Sequence, residues 1–200
     1  MASMAGSVVP TAVPALGSLV HRKSLIGFRA ACEQMWGPAG YARICSDLPA
    51  DVSERTAGLR PLPEWIALED LIAWHVAVWN GPARRDEKIM TEHIHATVDQ
   101  GFGRVKRFLL SLSTPQSLAP RVVSLWHDEY STGRLEAKFV EDKSVRLTLS
   151  DHPYIDTSLM RYVIAEVFRY VVSLTKAENV TSVHAIRDGS LVVVLRWTST

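Results

Sequence analysis

The sequence predicts an α+β fold: an N-terminal helical part packed with a four-stranded antiparallel sheet (ββαββ) carrying one long helix. Three observations predict it. Between Arg134 and Trp197, four short segments carry strand patterns: Leu135–Val140, Val145–Ser150, Val180–Ile186 and Leu191–Trp197. Between the second and third, over about 156–175, Met160, Val163, Ile164, Val167, Phe168, Val171 and Val172 repeat at helical spacing. Before Arg134, apolar residues recur on helical stripes separated by Gly-Pro and Pro-rich breaks. One domain over 24–200 follows, with a helical part at 24–131 and a sheet part at 134–197, preceded by a flexible tail at 1–23.

The helical part opens with Ser24 as a candidate N-cap, and Leu25, Phe28, Cys32 and Met35 share a stripe up to Gly37-Pro38. A short helix through Tyr41, Ile44 and Leu48 follows, then a polar stretch from Asp51 to Ala57 and an extended connector at Leu59–Pro63. Ala67–Trp79 is a helix whose face holds Leu68, Leu71, Ile72, His75 and Trp79, and Asn80-Gly81-Pro82 ends it. The next helix starts at Asp86. Gly101 and Gly103 predict either a kink or the close approach of another backbone. Thr114-Pro115 reads as an N-cap with proline in the first turn of a helix that carries Trp126.

In the sheet part, Leu135, Ala137 and Phe139 alternate with Glu136 and Lys138, so one face is buried and one is wet. Asp188-Gly189 is the favoured dipeptide of a tight hairpin. Val192 and Val194 stand where polar residues belong on an open face. They predict that this face is covered by the N-terminal helices or by another chain, which makes them the candidate partner interface.

Composition excludes several roles. The net charge of +1 steers the chain neither to nucleic acid nor, as a whole, to anionic lipid. Two cysteines make no disulfide framework and no zinc cluster, and suit a reducing cytoplasm. No apolar run is long enough to span a membrane. There is no Gly-x-Ser-x-Gly elbow and no phosphate loop, so no reaction is proposed and no catalytic residue is assigned. His93-Ile-His95 is no metal pair, because alternate residues point to opposite sides of a helix.

The run Gly103-Arg-Val-Lys-Arg-Phe-Leu-Leu, Pro120-Arg121 with Trp126, Gly133-Arg-Leu-Glu and the hairpin ending in Trp197 resemble a family of uncharacterised myxobacterial proteins of about this length. More distantly, the order of elements resembles the haem-nitric-oxide-binding and four-vinyl-reductase group of ligand-binding domains. That resemblance implies a sensory or regulatory fold with a small-molecule pocket between helices and sheet. The haem-binding members use a helical axial histidine and a Tyr-x-Ser-x-Arg pattern for the haem propionates. Here the nearest text, Tyr130-Ser-Thr-Gly-Arg134, is read as wrongly spaced, and nothing supports His127 as axial ligand. The expectation is therefore no cofactor, with haem disfavoured.

The resulting reading is a non-enzymatic cytoplasmic sensory domain of a bacterial chain. It binds a small apolar ligand through His75, Trp79, His93 and Trp126, or contacts a protein partner or a second copy through Val192 and Val194. A scaffold module with no small-molecule ligand is the alternative.

Overall fold

In the computed structural model, residues 17–57 and 61–198 are described, with the backbone alone at 104–106. The tail at 1–16 and the connector residues Leu59 and Arg60 lie outside the described residues. The chain runs β1 (Leu19–His21), α1 (Arg22–Ser46), α2 (Ala50–Thr56), β2 (Trp65–Ala67), α3 (Leu68–Asn80), α4 (Glu87–Ser111) and α5 (Pro115–Glu129). It continues β3 (Arg134–Glu141), β4 (Ser144–Ser150), α6 (Ser158–Ser173), β5 (Thr181–Arg187) and β6 (Ser190–Arg196).

The helical part differs from expectation at its start. Leu19–His21 pairs antiparallel with Trp65–Ala67, so the ordered fold begins inside the expected tail. The first helix is capped by His21, whose ring accepts from the backbone N–H of Lys23, and not by Ser24. The stretch read as merely polar contains α2, which buries only Val52 and Thr56. Two buried positions make too faint a stripe to register as periodicity. Gly37 interrupts α1 at φ 65° and Gly103 interrupts α4 at φ 63°, so each long helix is two helical segments joined at a sharp bend.

Both readings of the glycines near 101 hold, because a second contact lies beside the kink. A Cβ on Gly27 would stand 3.3 Å from the backbone N of Gly101 and the carbonyl of Thr97. Helices α1 and α4 therefore touch backbone to backbone, which only a glycine at position 27 allows without a shift.

The four-stranded sheet has the order β3-β4-β6-β5, all antiparallel. Asp188 and Gly189 both have positive φ, which closes the β5–β6 hairpin as expected. Leu147, Leu149, Leu191, Val193 and Leu195 are buried on the inner face. The apolar stripe of α6 joins them in the core: Met160, Val163, Ile164 and Phe168 are each less than a tenth exposed.

The outer face is a correction. The register places Lys138, Arg146, Val194 and Val183 side by side in one row. Val192 and Val194 are only half-buried and Val183 is 58% exposed, so the N-terminal helices do not cover this face.

Candidate functional site

The helical layer and the sheet layer do not close on each other completely. Between them lies a cavity of about 440 Å³, within the usual size of small-molecule sites. Phe28 of α1, Leu71 and His75 of α3, and Ile94 and Val98 of α4 form one wall. Val163, Ile164 and Phe168 of α6, with Leu147 and Leu195 of the sheet, form the other. Leu109 and Leu125 also line it but are 57% and 46% exposed, which places them at its opening.

The polar groups on this wall are few. Lys23 and Arg121, both solvent-exposed, lie on its border. Glu129 accepts a hydrogen bond from the hydroxyl of Ser24 at 3.3 Å. Tyr130 and Tyr154 also line the cavity, and burial pushes the Tyr130 hydroxyl up to about 12, so it stays protonated. His75 is the one histidine lining the cavity among the described residues. Burial, reinforced by His93 nearby, lowers its pKa to about 3, so the ring is neutral at ordinary pH. Its Nδ1 is buried without a hydrogen-bond partner among the described residues. An unpartnered polar nitrogen this deeply buried calls for an explanation.

Of the four expected ligand residues, two reach the cavity. His75 and Trp126 line it; His93 and Trp79 do not. His93 is fully buried behind Phe28, with its Nε2 3.3 Å from the Cys32 sulfur and its ring stacked on Trp36. Phe28 bridges it to His75, its ring contacting the His75 and His93 imidazoles edge-on at 4.7 and 4.5 Å between centroids. Trp79 is half-buried against the core, while Trp74 is sealed inside and donates to the Thr56 hydroxyl at 2.9 Å. His95 points the opposite way from His93, as the helix requires, and lies 2.6 Å from Glu166 on α6. No group of His, Cys, Asp or Glu among the described residues is arranged to hold a metal ion by itself.

An aromatic cluster closes one end of the cavity. Trp126 stacks on Tyr130 at 4.2 Å, and the buried His152 packs edge-on against both rings. His152 fits because residue 133 is glycine: a Cβ there would fall 2.8 Å from its ring, and φ at Gly133 is 83°. Trp126 donates to the carbonyl of Thr132 at 3.3 Å.

This turn revises one sequence reading. Tyr130, Thr132 and Arg134 do keep the spacing of Tyr-x-Ser-x-Arg, with threonine in the middle position. The departure is thus one of residue type and of placement. Tyr130 lines the cavity and the Thr132 hydroxyl is buried without a partner among the described residues, but Arg134 pairs with Glu136 at the surface. Sequence reasoning missed Lys23 and Arg121, since two solvated cations far apart in the chain carry no local signal.

No protein-family model and no curated protein matches the sequence, so the likeness to the myxobacterial family gains no support. Solved structures do match in fold. One is a haem protein solved in work on how porphyrin distortion modulates redox potential, with 13% identity and a TM-score of 0.61 over 90% of this chain and 96% of that one. Another is an H-NOX protein from S. oneidensis, at 11% identity and a TM-score of 0.60 over 90% and 96%. A third is an oxygen-binding H-NOX domain related to soluble guanylate cyclases, at 14% identity and a TM-score of 0.50 over 88% and 93%. On a fold whose solved neighbours are haem proteins, the expectation of no cofactor with haem disfavoured does not stand. Helices first, then a helix-bearing antiparallel sheet with a hollow between them: the chain has the H-NOX fold.

Proposed function

We propose that this chain is a sensory domain whose cavity holds haem, with His75 as the ligand to the iron. The observation that carries the reading is a neutral imidazole, with an unpartnered buried nitrogen, on the wall of an apolar cavity in this fold. Iron takes the neutral form of imidazole, and burial keeps His75 in that form throughout the physiological range. Lys23 and Arg121 at the opening are suited to the two haem carboxylates, a role the solvated Arg134 does not share in this arrangement. Haem bound there would supply an iron able to take a small gas, the chemistry named for the oxygen-binding neighbour.

The remaining residues exclude water and shape the response. Phe28, Ile94, Val98 and Phe168 present apolar walls with no competing donor. The cavity is shared between the helical layer and α6, so a change in what fills it is felt by both. The uncovered outer sheet face, with Val192 and Val194, is the proposed contact for a partner or second copy.

Titration of the purified chain with hemin, followed by Soret absorbance and EPR, tests the reading. A saturable one-to-one complex with a histidine-ligated spectrum is expected. A non-saturable, detergent-like uptake with no histidine signature sinks it and leaves the scaffold reading.

A further inference from the structure

The outer face of the four-stranded sheet divides into an apolar block and a cationic border. Side chains alternate along each strand, so Val183 and Ala185 of β5 share this face with Val192 and Val194 of β6. These four residues form a block two strands wide. Lys138 and Arg146 stand beside it, in the same row as Val194 and Val183. Arg196 lies at one end of the block and Arg187 at the other. All four cations are exposed and make no ion pair among the described residues. The carboxylates do not offset them locally. Glu136 is taken by Arg134, and Glu141 lies past the β3 bulge at the corner, in the row of Ser144 and Arg196. An apolar centre inside a polar rim is the anatomy of a protein interface, and here the rim has one sign.

We propose that this face docks a protein partner whose own surface is apolar at its centre and acidic at its rim. The inference rests on the reading of the outer sheet face as a contact, and it names the occupant. Charge complementarity selects that occupant: Lys138, Arg146, Arg187 and Arg196 attract carboxylates and repel a surface of their own sign. A second copy set face to face brings the same cations against its mate, with no free carboxylate at the block to meet them. A bilayer takes bulky side chains such as Trp, Phe and Leu among its acyl chains, and the centre of this face is Val and Ala on a pleated sheet. RNA laid on a sheet stacks its bases on aromatic rings, and none of the residues named on this face is aromatic. β5 is an edge strand, so the block is open on the one side that carries no cation, and a partner is not confined to the width of the sheet. The face lies outside the cavity, so the inference does not depend on what the cavity holds.

NMR titration of the full chain with a synthetic amphipathic helix of Leu and Glu, and with its Leu and Lys counterpart, tests it. The acidic peptide is expected to shift the amides of Val183, Ala185, Val192 and Val194 saturably and to bind at least about tenfold more tightly than the basic one, with an affinity that falls as salt rises. Lys138→Glu with Arg146→Glu, neither of which lines the cavity, is expected to weaken that binding at least about tenfold while hemin uptake and thermal melting stay unchanged. No shift on this face, equal binding of the two peptides, or binding untouched by the charge reversal overturns the proposal. So does a stronger response of the same amides to phosphatidylglycerol vesicles or to oligouridylate, which assigns the face to a bilayer or to RNA. Sedimentation of Val192→Lys separates the two levels of the reading. Self-association lost in that variant, with no response to the acidic peptide, keeps the face as a contact and overturns the acidic partner; no effect of Val192→Lys on self-association or on peptide binding overturns both.

Discussion

Two buried histidines share one phenylalanine and differ in everything else that matters. His75 and His93 both pack on the Phe28 ring, and burial brings both to a pKa near 3. Each has a buried Nδ1 without a partner among the described residues. Yet His93 is walled in by Cys32 and Trp36, whereas His75 borders a hollow of about 440 Å³. Burial, a shifted pKa and even an orphaned nitrogen therefore mark both a structural histidine and a candidate ligand. Space beside the ring separates them.

Removing the shared ring should do the most damage. Phe28→Ala deletes a fully buried aromatic that supports both imidazoles, and should cost about 3–5 kcal/mol of stability by chemical denaturation. It would also merge the two regions, so a hemin complex that survives it unchanged contradicts the role given to the cavity wall.

Acid tests the two rings next. Both histidines have native values near 3 against an ordinary 6.5, so below about pH 6.5 the unfolded chain binds protons that the native chain does not. Stability is fully present above that pH and is lost as pH falls toward 3, with a slope approaching about 1.4 kcal/mol per pH unit for each ring. Melting temperatures from pH 8 to pH 4 should fall, and His93→Leu should flatten the curve. An unchanged slope in that variant would show that His93 does not contribute to the acid sensitivity.

A smaller effect separates these dry rings from the wetter pair outside them. Burial alone would raise the Glu166 pKa, but hydrogen bonds from His95 and Arg169 outweigh it and hold the carboxyl below its usual range. This contact joins α4 to α6, and none of its three residues lines the cavity. Glu166→Gln should cost about 1–2 kcal/mol, read from denaturant midpoints, and leave hemin uptake intact. Least of all should come from Val192→Lys, which is expected to change stability by less than about 0.5 kcal/mol. Loss of a dimer or of partner binding in that variant would identify the outer sheet face as a contact.

Much of the fold was legible because its signals are local. The α6 stripe, the alternation in β3 and β4, the Asp188-Gly189 turn and the Thr114-Pro115 cap each lie within a few residues. The pairing of Leu19–His21 with Trp65–Ala67 was not legible, since each strand is three residues long and its partner is distant. The site was half legible. Stripe positions picked out His75 and Trp126, but the same rule picked His93 and Trp79, because periodicity gives the buried face and not what stands opposite it. Hollowness is a property of several layers meeting, and Lys23 and Arg121 meet its border only in the folded chain. The turn at Tyr130 shows a different gap: its spacing matches the pattern but was misread with threonine in the middle position, and the outward placement of Arg134, paired with Glu136 at the surface, shows only in the folded strand.

On the proposed reading, space beside His75, and not burial, is what would make it the ligand-holding histidine. Hemin titrations of His75→Leu and His93→Leu, with EPR of each complex, decide the matter. His75→Leu is expected to lose the histidine-ligated signal and to weaken binding by at least about 100-fold, beyond the effect of losing a supporting contact. His93→Leu is expected to keep both signal and affinity. A histidine-ligated spectrum that persists in His75→Leu, or disappears in His93→Leu alone, would contradict the assignment.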